Sequence, residues 1–134
     1  MSRTLTITDR PDAQLIESLP RLKAALEEQR RFRIEQLADL ATQGERLRGG
    51  PADRPLDALD ASADTARDEV TAALAAAARH ALEDIEAALD RIRADRYGRC
   101  LGCGAEIPLE RLRAIPQTGA CVGCQRRLER RRHM

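Results

Sequence analysis

Four cysteines are the residues of this chain whose type and spacing are best suited to bind a metal ion. Cys100 and Cys103 form one Cys-x2-Cys pair, and Cys121 and Cys124 form a second pair after a gap of 17 residues. Each pair can fold into a knuckle that directs two thiolates at one point, and two knuckles complete a tetrahedral shell with Zn–S distances near ~2.3 Å. A closed shell leaves no open coordination position. The sequence therefore predicts one structural Zn²⁺ ion and no catalytic metal.

Other uses of the cysteines are less consistent with the sequence. Two disulfides need an oxidising compartment, and the N-terminal residues show no apolar signal region. A thioredoxin-like redox site has one CxxC near a βαβ pattern, which is not found here. Ligand type alone leaves an iron–sulfur cluster open. Gly102 and Gly104 flank Cys103, and we expect them to allow the positive φ that a knuckle needs.

Composition limits the elements that can position this site. The chain has 134 residues, and its aromatic residues are Phe32 and Tyr97. Leu and Ala supply most apolar area, which favours helices packed in pairs over a thick core. No apolar run approaches the ~20 residues that span a bilayer. We expect a soluble cytoplasmic protein, and no nucleophile–base pair, phosphate-binding glycine loop or open metal site indicates an enzyme.

Two long helices are predicted before the cysteines. A short helical turn over residues 12–18 precedes Pro20, and the first long helix is expected to begin near that proline because proline fits a first turn. Its heptad-like apolar stripe consists of Leu22, Leu26, Leu37, Leu40 and Leu47. Gly49-Gly50-Pro51 ends this pattern. The second stripe, in steps of three and four, consists of Val70, Leu74, Ala78, Leu82, Ile85, Leu89 and Ile92.

The two stripes predict a mainly α fold. Narrow apolar faces joined by a Gly/Pro-rich loop are typical of a long antiparallel coiled-coil hairpin, in which a helix of about 30 residues is ~45 Å long. The hairpin precedes a small four-cysteine zinc-finger module and a short C-terminal helix. The predicted regions are an N-terminal tail with a short helical segment (1–19), the hairpin with its tip near 49–63 (20–96), and the zinc finger with a basic C-terminal helix (97–134).

Acidic residues are concentrated at the predicted tip. The cluster comprises Asp53, Asp57, Asp60, Asp64, Asp68 and Glu69, with Arg54 and Arg67 opposing it. Acids at a helix start also act as caps and complement the helix dipole, and this role is assigned mainly to Asp64, Asp68 and Glu69. Asp57 and Asp60 are spaced i, i+3 and share a face if the turn is helical. Such carboxylates can bind Mg²⁺ or basic side chains of a partner.

The finger resembles that of a known family. Residues 97–107 read YGRCLGCGAEI, residues 111–116 read RLRAIP, and residues 121–124 read CVGC. These motifs, together with an N-terminal helical hairpin, are similar to the DksA/TraR family of bacterial RNA polymerase-binding proteins. The resemblance covers residues 15–130 and is looser in the hairpin. It implies a zinc-containing transcription regulator that binds RNA polymerase, with no sequence-specific DNA recognition and no membrane partner.

The resemblance also suggests roles for tip residues. In the family the tip carries Asp-x-x-Asp-x-Ala, which enters the polymerase secondary channel. An ungapped count back from Cys100 places this motif on Asp57, Asp60 and Ser62, so that serine replaces the alanine of the family. A gapped count would use Asp60 and Asp64, whose spacing fits the motif less well.

A second departure concerns the alarmone ppGpp, which some family members bind through basic residues. The same count places those positions on Ala77, Asp84, Ile115 and Gln125, and none of them is basic. A polyphosphate needs cationic partners. The sequence therefore predicts a regulator that does not depend on ppGpp, or one that uses another basic surface.

The C-terminal segment is strongly basic. Residues 91–134 carry 11 Arg and 4 acids, whereas residues 1–90 carry 12 basic residues and 18 acids. A candidate docking surface comprises Arg126, Arg127, Arg130 and Arg131. It can equally be a solvated helix face, or it can contact phosphates in a nucleic-acid- or ribosome-associated zinc protein. A structural adaptor, in which the tip acids only cap helices, is the third hypothesis.

Overall fold

The computed structural model describes residues 13–48 and 58–132. In these ranges the chain forms four helices: α1 (Ala13–Arg48), α2 (Ala58–Arg93), α3 (Leu109–Ala114) and α4 (Val122–Arg132). No strand is found in the described residues, although Arg99 and Glu106 form an isolated antiparallel bridge. The predicted mainly α fold is confirmed, with a long helical hairpin, a four-cysteine cluster and a short C-terminal helix. The helices in residues 13–48 and 58–132 contain no apolar stretch of the length that a membrane span needs.

The first helix begins earlier than the sequence suggested. It starts at Ala13 and contains Pro20 in its interior, so the expected helix start near Pro20 is wrong. Proline lacks the N–H that would bond to the carbonyl four residues before it. Leu15, Leu22 and Leu26 on both sides of the proline are all buried in one core. Burial of these side chains therefore favours a continuous helix over the local break that proline favours.

The described residues fall into two compact units. The unit that we call the base comprises described residues 13–28 and 84–132, and the unit that we call the hairpin unit comprises described residues 29–48 and 58–83. The core of the base draws on both long helices and the cysteine module. Its members are Leu15, Leu22, Leu26, Ile85, Ala88, Leu89, Tyr97, Cys100, Ile107, Leu112 and Cys124. The base therefore joins segments that are far apart in sequence.

The hairpin unit has a thinner interior. Among its described residues Leu40 and Ala78 are the buried apolar ones, at 8% and 1% exposure. Val70 and Leu74, which the periodicity placed on the buried stripe, are exposed at 58% and 48%. The predicted stripe is therefore correct from Ala78 onwards and wrong at its beginning. The small side chain at position 78 permits the close approach that burial there requires.

The end of α2 leads the chain into the cysteine module through a defined turn. Arg96 donates its backbone N–H to the carbonyl of Arg91 at 2.8 Å, and Asp95 donates to the carbonyl of Ile92 at 3.2 Å. Asp95 has φ 58°. These bonds and this left-handed residue form a Schellman C-cap, with aspartate in the position that glycine usually occupies. The turn is followed directly by Tyr97 and Gly98, both of which are buried.

Candidate metal centre

The first cysteine pair is carried by a short antiparallel loop. Cys100 donates its backbone N–H to the carbonyl of Ala105 at 2.8 Å, and Ile107 donates to the carbonyl of Gly98 at 2.8 Å. Gly104 donates to the carbonyl of Cys100 at 2.9 Å, which closes the knuckle around Cys103. A side chain at Gly98 would lie 2.7 Å from Leu15 Cδ2, and its φ is 95°. Glycine is therefore required where the loop packs on α1.

The second cysteine pair lies at the start of α4. Cys121 precedes the helix and Cys124 lies in its first turn, where Gln125 donates its backbone N–H to the carbonyl of Cys121 at 2.9 Å. The two knuckles are linked at Leu101, which donates its backbone N–H to the carbonyl of Gly119 at 2.8 Å. This bond joins segments on opposite sides of α3. The two pairs thus face one point.

The four sulfur atoms are spaced as ligands of one ion. All four Sγ atoms lie within 4.8 Å of one another, and those of Cys103 and Cys121 are 3.8 Å apart. A tetrahedron with Zn–S bonds of about 2.3 Å has edges of about 3.8 Å. The geometry therefore fits Zn²⁺ with only small adjustments of the side chains. Cys100 and Cys124 are buried, and Cys103 is exposed.

Hydrogen bonds to sulfur prepare part of the site for metal binding. The backbone N–H of Cys121 donates to Cys100 Sγ at 3.3 Å, and it lowers the pKa of the Cys100 thiol to about 6. The N–H of Cys124 likewise lowers the pKa of Cys121. The side chain of Cys100, followed by that of Cys121, raises the pKa of Cys124 to about 12. Four thiolates cannot all ionise side by side without a cation, so metal binding displaces protons.

The two glycines around Cys103 have different roles. Gly104 has φ 77°, which confirms the expected left-handed turn. Gly102 does not have a positive φ, so that part of the prediction is wrong. A Cβ at position 102 would instead lie 3.1 Å from Cys124 Sγ and 3.7 Å from Cys100 Sγ. Glycine at this position therefore leaves room for two of the sulfur atoms.

Sequence reasoning missed the side chains that position the second knuckle. The buried hydroxyl of Tyr97 donates to the carbonyl of Pro116 at 2.7 Å. The Arg91 guanidinium donates to the carbonyls of Gln117 and Thr118 at 3.5 and 3.3 Å, and Arg111 Nε donates to the carbonyl of Ala120 at 2.9 Å. The sequence contained one hint of this role for Tyr97. It is one of two aromatic residues in the chain, and it lies three residues before Cys100. The arginines had no such signal.

The candidate tip residues are only partly described. Asp57 lies outside the described residues. The backbone of Asp60 lies in the first turn of α2, and the side chain of Ser62 is exposed on the same helix. Asp64 forms an ion pair with Arg67 at 3.8 Å, three residues along the helix. Because α2 begins at Ala58, Asp64, Asp68 and Glu69 lie beyond its first turn, so the capping role assigned to them is wrong. The contact role of the tip acids stays a prediction.

Three of the four positions compared with the family's ppGpp site lie together. Asp84, Ile115 and Gln125 line one open groove of about 870 Å³ in the base, together with Arg91, Arg111, Arg127 and Arg131. Ala77 is exposed in the hairpin unit. The groove thus contains arginines at positions other than those that the ungapped comparison with the family assigned to ppGpp binding. Arg91 and Arg111 are already bonded to backbone carbonyls of the finger.

The arginines of the candidate docking surface do not all have the same surroundings. Arg126, Arg130 and Arg131 are exposed on α4. Arg127 is also largely exposed, but its Nη2 lies 3.1 Å from Cys124 Sγ. Arg91, which lines the same groove as Arg127 and Arg131, has its pKa lowered by burial. The four arginines thus lie exposed on α4, and one of them contacts the metal centre. Their role as a docking surface stays a prediction.

Comparisons with known proteins agree with this geometry. The family model described as prokaryotic dksA/traR C4-type zinc finger matches residues 95–130. An uncharacterised protein of Aquifex aeolicus (strain VF5) is 33% identical over 114 residues, which cover 85% of this chain and 78% of that protein. The structure of the transcription factor DksA2 from Pseudomonas aeruginosa is similar with a TM-score of 0.75 and 22% identity, covering 96% of this chain and 98% of that chain.

These findings confirm the predicted metal site. The matched finger contains all four cysteines, and their sulfur atoms have the spacing of ligands of one ion. The site is therefore one for a single structural zinc ion, held by Cys100, Cys103, Cys121 and Cys124. The likeness to the solved structure extends the agreement in fold to nearly the whole chain.

Proposed function

Since the chain belongs to the DksA/TraR family of C4-type zinc-finger proteins, we propose that it regulates transcription by binding bacterial RNA polymerase. The observation that carries this proposal is the four-cysteine cluster joined to a long helical hairpin, in a fold similar to that of a transcription factor over 96% of the chain. In this proposal the protein has no enzymatic activity and reads no DNA sequence. The zinc ion stabilises the base, and the hairpin presents the acids of the tip.

Asp57 and Asp60 are the residues proposed to act inside the secondary channel of the polymerase. Asp60 lies in the first turn of α2, and Asp57 precedes that helix in sequence. Carboxylates in such positions can contact Mg²⁺ or basic side chains near a catalytic centre. Asp64 is a weaker candidate because it is paired with Arg67 in its own helix.

Purified polymerase tests this role directly. Asp57→Asn/Asp60→Asn should retain binding in a pull-down and lose most of the effect on transcription in vitro, because it removes charge without removing the docking surfaces. Asp68→Asn/Glu69→Gln is the matched control, since it removes two charges at exposed positions of α2. Full activity of the first variant would contradict the tip mechanism. Failure of the unmodified protein to bind polymerase would contradict the proposed function itself.

Ser62 is the position at which the tip departs from the family pattern. Its side chain is exposed and lies within α2. Ser62→Ala should raise the free energy of unfolding by up to about 0.5 kcal/mol, because alanine has the higher helix propensity. A change in transcription activity without a change in polymerase affinity would identify the hydroxyl as part of the tip contact.

We further propose that this regulator acts without ppGpp. Support comes from the acidic, aliphatic and amide side chains at Asp84, Ile115 and Gln125, which line the groove. The groove arginines Arg91 and Arg111 are already bonded to finger carbonyls. Titration of ppGpp into the complex of this protein with polymerase should give no additional binding relative to polymerase alone. A ppGpp response that Asp84→Lys strengthens would contradict independence.

One observation favours a second candidate function. The exposed arginines Arg126, Arg130 and Arg131 of α4 form a cationic face that can contact nucleic-acid phosphates. A salt titration of DNA and RNA binding distinguishes the two functions. Tight binding with a steep salt dependence and no polymerase affinity would favour a nucleic-acid- or ribosome-associated protein. Weak binding to both nucleic acids, together with polymerase co-purification, would favour the first function.

A further inference from the structure

The guanidinium of Arg127 lies against one sulfur of the metal centre. Its Nη2 is 3.1 Å from Cys124 Sγ, within hydrogen-bond distance for a sulfur acceptor. The two residues are three apart on α4, which places them on the same helical face. Cys124 is 8% exposed, whereas Arg127 is exposed along much of its length. The arginine thus links an exposed side chain to a nearly buried sulfur.

The other donors to the cysteine sulfurs are different in kind. Cys100 Sγ and Cys121 Sγ accept backbone N–H groups at 3.3 and 3.4 Å, and these donors carry no net charge. In residues 13–48 and 58–132, Arg127 is the one charged side chain that donates to a cysteine sulfur. Four thiolates around Zn²⁺ leave a net charge of −2, and hydrogen bonds from a cation to an anion are stronger than those from neutral donors.

Cys124 Sγ also has the backbone of Gly102 close to it. A Cβ at position 102 would lie 3.1 Å from this sulfur, so the backbone of Gly102 lies close against it. Neutral backbone and the Arg127 guanidinium therefore both lie near this sulfur. A thiolate enclosed in this way keeps its orientation, since rotation away from the metal would lose the hydrogen bond.

We propose that Arg127 is a positioning residue of the zinc site, which holds the Cys124 thiolate in place and slows loss of the metal. The hydrogen bond withdraws electron density from the sulfur and offsets part of the negative charge of the site. Partners in the outer shell of a metal site typically change metal affinity by about 10–100-fold. Arg127 thereby differs from Arg126 and Arg130, which remain for contact with a partner.

The test uses the zinc-loaded full-length chain and transfer of its metal to a chromogenic chelator. Arg127→Ala should release zinc about 10-fold faster than the unmodified protein. Arg127→Lys should restore most of the retention, because an ammonium also donates to a thiolate. Arg126→Ala is the matched control, since it removes the same charge from an exposed neighbouring position, and it should leave the rate unchanged.

A spectroscopic readout separates positioning from a general effect on helix stability. In the cobalt-substituted protein the sulfur-to-metal charge-transfer band should move to lower energy in Arg127→Ala, because the sulfur becomes more electron-rich. The band should stay in place in Arg126→Ala. Arg127→Gln removes the charge and keeps a long helix-forming side chain, so it serves as the variant if the alanine protein folds poorly.

Two results would overturn the proposal. One is equal zinc release from Arg127→Ala and Arg126→Ala. The other is an unchanged charge-transfer band in both Arg127→Ala and Arg127→Gln. Neither measurement involves polymerase, so the outcome is independent of the proposed function.

Discussion

The base and the hairpin unit are stabilised in different ways. The base buries side chains from both long helices and from the cysteine module in one core, and side-chain hydrogen bonds join residues as far apart in sequence as Ser18 and Arg113. In the described part of the hairpin unit, the buried apolar residues are Leu40 and Ala78. Its ion pair between Asp64 and Arg67 joins neighbours on one helix. Stability is therefore concentrated in the base.

This difference separates the roles of the two regions. Long-range contacts and a metal ion give the base one well-defined arrangement, which suits a region that fixes the orientation of the helices. A two-helix segment with exposed faces has few internal constraints. Substitutions in the base should act mainly on stability, and those near the start of α2 should act mainly on function.

The largest effect is expected from zinc. Cys103→Ser removes a ligand that is exposed, so its cost arises from the metal and not from buried area. We expect a loss of about 4 kcal/mol or more in the free energy of unfolding, since structural zinc supplies much of the folding energy of small modules. Circular dichroism melts and amide exchange should show the base opening before the hairpin unit. Without metal, the unmodified protein and Cys103→Ser should melt alike. An unchanged melt of the unmodified protein after complete chelation would contradict the coupling of zinc binding to folding.

Core truncations compare the two units directly. Leu26→Ala in the base should cost about 3–4 kcal/mol, because Leu26 is fully buried. Leu40→Ala in the hairpin unit should cost about 2 kcal/mol, because its thinner surroundings can collapse into the space. Leu74→Ala, at a position 48% exposed, is the control and should stay within about 0.5 kcal/mol. Urea unfolding measures all three, and a larger cost at Leu40 than at Leu26 would reverse the comparison.

Tyr97 gives the base an alkaline pH dependence. Burial raises the pKa of Tyr97 to about 12, above the value of about 10 in an unfolded chain. The unfolded state ionises first, so stability present below pH 10 is lost as the pH rises toward about 12. Tyr97→Phe should cost about 1 kcal/mol at neutral pH, because it removes the bond to the Pro116 carbonyl. In urea unfolding at several pH values, the free energy of unfolding should decline less steeply at alkaline pH in this variant. Parallel pH dependences of the two proteins would exclude Tyr97 as the cause of the alkaline loss.

The smallest effect is expected at the surface of the hairpin unit. Asp64 and Arg67 are partly to largely exposed, and their charged atoms are 3.8 Å apart. Asp64→Asn should change the free energy of unfolding by no more than about 0.5 kcal/mol, because exposed pairs of this kind are screened by solvent. Chemical denaturation of both proteins, with and without high salt, measures this change in the free energy of unfolding. A loss above about 1 kcal/mol would indicate a tertiary role for Asp64.

Prediction from the sequence succeeded where the signal was local or periodic. The spacing of the cysteines predicted the metal site, and the stripe from Ala78 to Leu89 predicted the buried face of α2. The predicted start of α1 was wrong because burial of Leu15 and Leu22 overrides the break expected at Pro20. The predicted burial of Val70 and Leu74 was wrong because periodicity does not show where along a helix the packing partner ends.

The amino-acid sequence by itself determined which residues bind the metal, since two Cys-x2-Cys pairs supply four thiolates whatever the details of the fold. It also determined that the chain is mainly helical, because the spacing of leucine and alanine has the period of a helix. Only the tertiary structure decided how the knuckles are held. The hydrogen bonds from Tyr97, Arg91 and Arg127 depend on the three-dimensional arrangement of side chains, which residue type and spacing do not specify.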